Sequence, residues 1–88
     1  MITITQQSPQ EIVGHDPVTG DVIRAVRENG KATIYHNDIQ SNPCRISSEG
    51  EGTFFVLVDA QGRPQVSSLE EVTFILWASY QLTAVAAS

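Results

Sequence analysis

Residue types that support metal binding or nucleophilic catalysis lie close together in one stretch of the chain. His36, Asp38 and Cys44 fall within nine residues, and His15 with Asp16 adds an imidazole and a carboxylate. Their spacing favours neither chemistry, because structural zinc sites pair close ligands such as C-x-x-C and a Cys44 nucleophile would need His36 to reach across a loop. We therefore expect no catalytic residue, cofactor or metal site, and we expect a buried thiol and two surface histidines. A minimal enzyme that uses His36 and Cys44 is the least favoured hypothesis.

The acidic residues raise a second set of chemical questions. Glu49 and Glu51 alternate with glycines, but a calcium loop places several oxygen ligands in a fixed order that is absent here. Ten acids against five bases give a net charge of -5, which opposes binding to nucleic acid or an anionic membrane and favours a basic partner. One hypothesis is therefore an acidic inhibitor that covers a basic, nucleic-acid-binding surface of an enzyme. Its contacts would include Glu49, Glu51 and Asp59.

The C-terminal segment carries the clearest structural signal. Ser68 followed three residues later by Glu71 predicts a helix start, and no charged side chain follows between Val72 and Ser88. At 100° per residue the large apolar side chains fall on two opposed stripes. The first stripe contains Leu69, Val72, Leu76, Trp77 and Tyr80, and the second contains Phe74, Ile75, Leu82 and Val85.

A helix that is apolar on two sides needs cover on both. We expect the first stripe to lie on a sheet and the second to face a partner, because burying one large apolar side chain is worth roughly 1.5 to 3 kcal/mol. The main functional hypothesis is a non-catalytic protein-protein interaction module: a homodimer, an adaptor or an inhibitor. Its predicted contacts are Phe74, Ile75, Trp77 and Leu82, together with the neighbouring sheet edge. Cover by the chain's own strand and loops is the alternative.

The strand signals predict the rest of the fold. Asn29-Gly30 predicts a hairpin over 21–36 in which Glu28 lies opposite Lys31 and Arg24 opposite Tyr35. Residues 53–58 are apolar on both faces and predict a central strand, followed by a turn over 59–62 and an edge strand over 63–67. A short strand at Ile2 and Ile4, a helical turn over 8–14, a polar loop over 37–43 and a weaker strand over 44–48 complete the prediction.

Together these patterns predict one α+β domain over residues 1–88, with four or five antiparallel strands in a meander and one C-terminal helix packed on one face. The lone Cys44 cannot form an internal disulfide, so we expect a cytoplasmic protein. The N-terminus lacks the basic and apolar regions of a signal peptide, and the uncharged tail is shorter than the roughly 20 residues of a membrane span. The expected partner is a protein, including a second copy of the chain.

Overall fold

The fold is one antiparallel sheet with a single helix packed against it. The computed structural model describes the backbone of residues 2–48, 52–65 and 68–87 and the side chains of residues 2–42, 57–65 and 68–84. Each strand pairs with its neighbour in sequence, so the sheet order is β1 to β7. The elements are β1 (Thr3–Gln7), β2 (Glu11–His15), β3 (Val22–Glu28), β4 (Lys31–His36), β5 (Ile39–Ser48), β6 (Gly52–Val58), β7 (Pro64–Gln65) and α1 (Leu69–Ala87). The predicted α+β meander is confirmed, but its strand number is wrong, since the sheet has seven strands rather than four or five.

One additional strand comes from the segment predicted to be a helical turn. The Ser8 hydroxyl accepts the N–H groups of Gln10 and Glu11 at 3.3 and 3.0 Å, and Ser8 N–H donates to the Glu11 carbonyl at 2.8 Å. These bonds close a turn between β1 and β2, so the helical turn is wrong. The reason is that a Ser hydroxyl satisfies free N–H groups in a hairpin as well as at a helix start.

The loop predicted over 37–43 is also mostly strand. Asn37 and Asp38 both have positive φ angles, 51° and 66°, and form a tight turn between β4 and β5. Asparagine and aspartate tolerate this left-handed conformation better than other side chains. Strand β5 therefore starts at Ile39, and Pro43 lies within it.

The Asn29-Gly30 hairpin is confirmed in its full register. Glu28 pairs with Lys31, Ala25 with Ile34 and Ile23 with His36. Ile23, Ala25 and Ile34 lie on one face of this hairpin and are buried in the core. Asn29 and Gly30 have φ angles of 54° and 76°, as a type I′ turn requires.

Strand β6 pairs with β5 on one side and β7 on the other, which confirms its central position. The turn after it is confirmed by a hydrogen bond of 2.9 Å from Gly62 N–H to the Asp59 carbonyl. The predicted edge strand is present as the short β7. Residues 49–51 of the predicted acidic turn and residues 66–67 of the predicted edge strand lie outside the described residues.

The core lies between α1 and one face of the sheet. Its buried apolar residues come from four strands and one side of the helix: Ile12, Ile23, Ala25, Ile34, Leu57, Phe74, Ile75, Ala78 and Leu82. Ile2 and Ala32 pack against this cluster from its margin.

The helix faces largely the opposite way from the prediction, although Val72 of the first stripe is buried as expected. Phe74, Ile75 and Leu82 are only 7, 0 and 1% exposed, so the stripe expected to meet a partner is covered by the chain itself. Ala78, in the middle of this stripe, is also fully buried. Its small side chain allows close approach of helix and sheet.

The helix start is confirmed in detail. Glu71 N–H donates to the Ser68 hydroxyl at 3.2 Å, and Ser68 N–H donates to Glu71 Oε2 at 3.1 Å. This reciprocal pair is a capping box, which satisfies two N–H groups that the helix cannot satisfy internally. In the described part of the chain, no helix has the length and apolar character needed to cross a membrane.

Candidate functional site

The side of α1 that points away from the sheet carries four large apolar residues. Leu69, Tyr80, Leu76 and Trp77 are 82, 67, 42 and 37% exposed, and we call this set the outer helix face. They fall within an arc of about 100° on a helix that turns 100° per residue. Of the four residues predicted to contact a partner through the helix, Trp77 alone belongs to this face.

A shallow groove adjoins the outer helix face. It has a volume of about 560 Å³ and is lined by Ile2, Leu69, Glu70, Thr73, Phe74 and Trp77. The rings of Phe74 and Trp77 are tilted by 42° with centroids 6.0 Å apart, so the groove floor is aromatic. An apolar side chain is therefore the kind of group that this groove fits.

A second candidate site lies beneath the start of the helix. Asp21, His36 and Glu71 place one potential ligand atom each within 4.8 Å of one another, and we call them the buried polar cluster. His36 Nε2 lies 3.2 Å from Glu71 Oε1 and 3.4 Å from Asp21 Oδ2. His36 and Glu71 are 4 and 0% exposed. The prediction of a surface histidine is thus wrong for His36, because α1 covers the end of β4.

Three different elements position the cluster. Asp21 directly precedes β3, and its Oδ1 accepts the Asn37 amide at 2.8 Å. Asn37 is itself held by Val22, whose N–H donates to Asn37 Oδ1 and whose carbonyl accepts Asn37 N–H, both at 2.8 Å. His36 is the last residue of β4, and Glu71 is fixed by the capping box. The sheet thus supplies two members and the helix start supplies the third.

The two carboxyl groups have pKa values displaced in opposite directions. Burial raises the pKa of Glu71, and the neighbouring Asp21 raises it further, against hydrogen bonds that lower it. The hydrogen bond from the Asn37 side chain lowers the pKa of Asp21, with a smaller contribution from the charge of His36. As the pH falls, Glu71 is therefore the first of the two carboxyl groups to take up a proton, and Asp21 stays ionised to lower pH.

Sequence reasoning missed this cluster although part of its signal was present. The predicted hairpin register already places His36 opposite Ile23, two residues from Asp21. The third member depends on which side of the helix faces the sheet, and that side was assigned incorrectly. Glu71 was recognised as a cap but not as a residue of the buried stripe.

The remaining predicted residues have separate positions. Asp59 is nearly buried, and its carboxylate accepts the N–H groups of Gln61 and Arg63 and the Arg63 side chain at 2.9 to 3.0 Å. It stabilises its own turn, and its role toward a partner stays a prediction. Asp38 is exposed in the β4–β5 turn. The side chains of Glu49, Glu51 and Cys44 lie outside the described residues.

Arg24 and Tyr35, predicted to lie opposite each other on the hairpin, form a cation-π contact. The Arg24 guanidinium lies 4.4 Å from the centroid of the Tyr35 ring, and it also pairs with Glu11 at 3.3 Å. An acid next to the base reduces the attraction of this surface for phosphate groups. The predictions of a protein partner and of a cytoplasmic location remain predictions.

Comparisons of the chain with protein-family models, with curated proteins and with solved structures gave no match.

Proposed function

We propose that this chain is a non-catalytic protein-binding module whose outer helix face pairs with the same face of a second copy. The observation that carries the proposal is the exposure of Leu69, Leu76, Trp77 and Tyr80 on one side of one helix. A contiguous apolar patch beside a groove is typical of an interaction site, whereas isolated exposed apolar residues are ordinary. Fully burying one large apolar side chain is worth roughly 1.5 to 3 kcal/mol, and each of these residues would gain the share that corresponds to the area it still exposes. The sum over four residues is large against the stability of a small domain.

The shape of the face supports a second copy as the partner. If two helices cross antiparallel near Leu76 and Trp77, Tyr80 of one copy lies opposite Thr73 of the other. Thr73 lines the groove. The aromatic ring of Tyr80 thus has a place to bind, and the two-fold symmetry repeats this contact on the other side.

The charges along the helix agree with this arrangement. No charged side chain occurs from Val72 onwards, so an antiparallel pair brings no like charges together at its centre. Glu70 lies at the margin of the groove. In the antiparallel crossing it faces Thr83 of the second copy, and the two Glu70 side chains lie at opposite ends of the interface.

The test is the oligomeric state of wild type and of Tyr80→Glu, measured by sedimentation equilibrium from micromolar to millimolar concentration. We expect a wild-type dimer, and we expect Tyr80→Glu to be a monomer with an unchanged circular dichroism spectrum, because Tyr80 is 67% exposed and outside the core. Val18→Glu is the matched control, since Val18 is 83% exposed in the β2–β3 turn, and this variant should dimerise like wild type. A wild type that stays monomeric over the whole range, or equal dimerisation of Tyr80→Glu and wild type, would overturn the proposal.

A further inference from the structure

The buried polar cluster has a geometry that hydrogen bonding alone explains poorly. His36 Nε2 faces Glu71 Oε1 at 3.2 Å and Asp21 Oδ2 at 3.4 Å, yet one N–H points along only one direction. Charge-assisted hydrogen bonds between such groups are usually about 2.7 to 2.9 Å long, shorter than both. Ligand atoms about 2.0 to 2.1 Å from a tetrahedral zinc ion lie about 3.3 to 3.4 Å from each other. The two separations therefore fit neighbouring positions around one metal ion.

The second oxygen of each carboxylate is already engaged elsewhere. Asp21 Oδ1 accepts the Asn37 amide at 2.8 Å, and Glu71 Oε2 accepts Ser68 N–H at 3.1 Å. These bonds orient Asp21 Oδ2 and Glu71 Oε1 toward the imidazole. Outer hydrogen bonds of this kind commonly fix the ligands of protein metal sites.

Charge balance leaves a place for a cation. Glu71 is fully buried and His36 nearly so, and once both carboxyl groups of the cluster are ionised they need a compensating positive charge, so a bound cation would replace the proton that Glu71 otherwise holds. Among the described residues, no Lys or Arg side chain contacts the cluster through a hydrogen bond or ion pair. One divalent cation with two carboxylates and a neutral imidazole gives a net charge of zero.

We infer that Asp21, His36 and Glu71 bind one divalent zinc ion between the start of α1 and the β3–β4 hairpin. Histidine nitrogen and carboxylate oxygen are both zinc ligands, whereas calcium takes six to eight oxygens and magnesium keeps most of its waters. The Asp21 side chain is 18% exposed, so an ion reaches the cluster from that side and a water completes four-fold coordination. The ion ties helix to sheet, and the inference does not depend on the proposed dimer.

The direct test is calorimetric titration of the chelator-treated protein with zinc chloride, together with thermal denaturation. We expect binding of one equivalent and a rise in melting temperature. Glu71→Gln and His36→Gln should each weaken zinc binding at least tenfold, as expected when one of three protein ligands is lost. Glu70→Gln and His15→Gln are the matched controls, from the same helical turn and from the other histidine, and they should bind zinc like wild type.

The coordination itself is tested with cobalt chloride as a spectroscopic probe. Four-coordinate cobalt gives strong visible absorption, and we expect it in wild type and Glu70→Gln but not in Glu71→Gln. Glu71 also caps α1, so Glu71→Gln could fail to fold. In that case Asp21→Asn is the ligand variant whose cobalt spectrum is compared with that of Glu70→Gln. The inference is overturned if zinc leaves the wild-type melting temperature unchanged, if ligand variants and controls bind zinc equally, or if the cobalt spectrum is that of the hydrated ion.

Discussion

Gly14, the fourth residue of β2, lies directly against the ring of Phe74. A Cβ atom at position 14 would lie 2.6 Å from Phe74 Cζ and 2.7 Å from Ile2 Cγ2, closer than carbon atoms approach without displacement. Phe74 is nearly buried, so its ring has little room to move. We expect Gly14→Ala to lower the free energy of unfolding by about 1 to 3 kcal/mol, the usual cost of overpacking, as measured by urea denaturation.

A double-mutant cycle separates this steric effect from a change in strand propensity. Phe74→Leu removes the ring atoms that the new methyl group would meet, so Gly14→Ala should cost less in the Phe74→Leu background than in wild type. Equal costs in the two backgrounds would show that the packing of Phe74 on Gly14 is not the source of the effect.

Residue pairs that are close in sequence were predictable, and pairs that depend on tertiary packing were not. The contact of Arg24 with Tyr35 and the cap between Ser68 and Glu71 follow from local spacing, and both are present. The environment of His36 depends on a helix residue 35 positions later, Glu71. No local pattern around His36 distinguishes a buried histidine from a surface one.

At the scale of elements, the turn between β6 and β7 depends on the ionised form of Asp59. Backbone N–H groups, that of Arg63 first, lower the pKa of this carboxyl group, and the Arg63 charge adds to the effect. A lowered pKa in the folded state means that the ionised carboxylate stabilises the fold above the ordinary aspartate pKa, and that this stabilisation is lost as the pH falls through the folded-state pKa.

We therefore expect wild type to exceed Asp59→Asn in stability at neutral pH, and we expect the difference to shrink as the pH falls below about 4, the ordinary aspartate range. Asparagine retains one oxygen for the backbone N–H groups of Gln61 and Arg63 but loses both the charge and the oxygen that accepts the Arg63 side chain. The change of the difference with pH, rather than its size at one pH, therefore reports the ionised form. Urea denaturation of both proteins over a pH series measures it. A difference that is constant with pH would contradict a role for the ionised form.

The elements themselves were predictable wherever one signal excluded the alternatives. Asn29-Gly30 fixed the β3–β4 hairpin because few residue pairs tolerate two successive positive φ angles. Helix α1 was clear in extent but not in orientation, since its two apolar stripes have similar hydrophobicity. Ala78 and Gly14 lie where the helix meets the sheet, and their small size permits close packing there.

At the scale of the whole molecule, the meander is simple because every strand pairs with its sequence neighbours. The strand that the prediction misses is β2, because the turn before it, at Ser8, contains residues that are also compatible with a helix start. The net charge of -5 is likewise a whole-molecule property, and it bears on association more than on fold.

Two copies with a net charge of -5 repel each other at low ionic strength, while the proposed contact between their outer helix faces is apolar. Salt screens this repulsion, with a Debye length of about 10 Å at 0.1 M, and leaves apolar burial nearly unaffected. We therefore expect the wild-type dimer dissociation constant to fall by several-fold when sodium chloride is raised from low to high concentration in sedimentation equilibrium, with Tyr80→Glu monomeric throughout. The alternative, an acidic inhibitor bound to a basic surface, predicts a complex that weakens steeply with salt. A dimer that dissociates as salt is added would therefore show that its contact is ionic and that the apolar helix face does not form it.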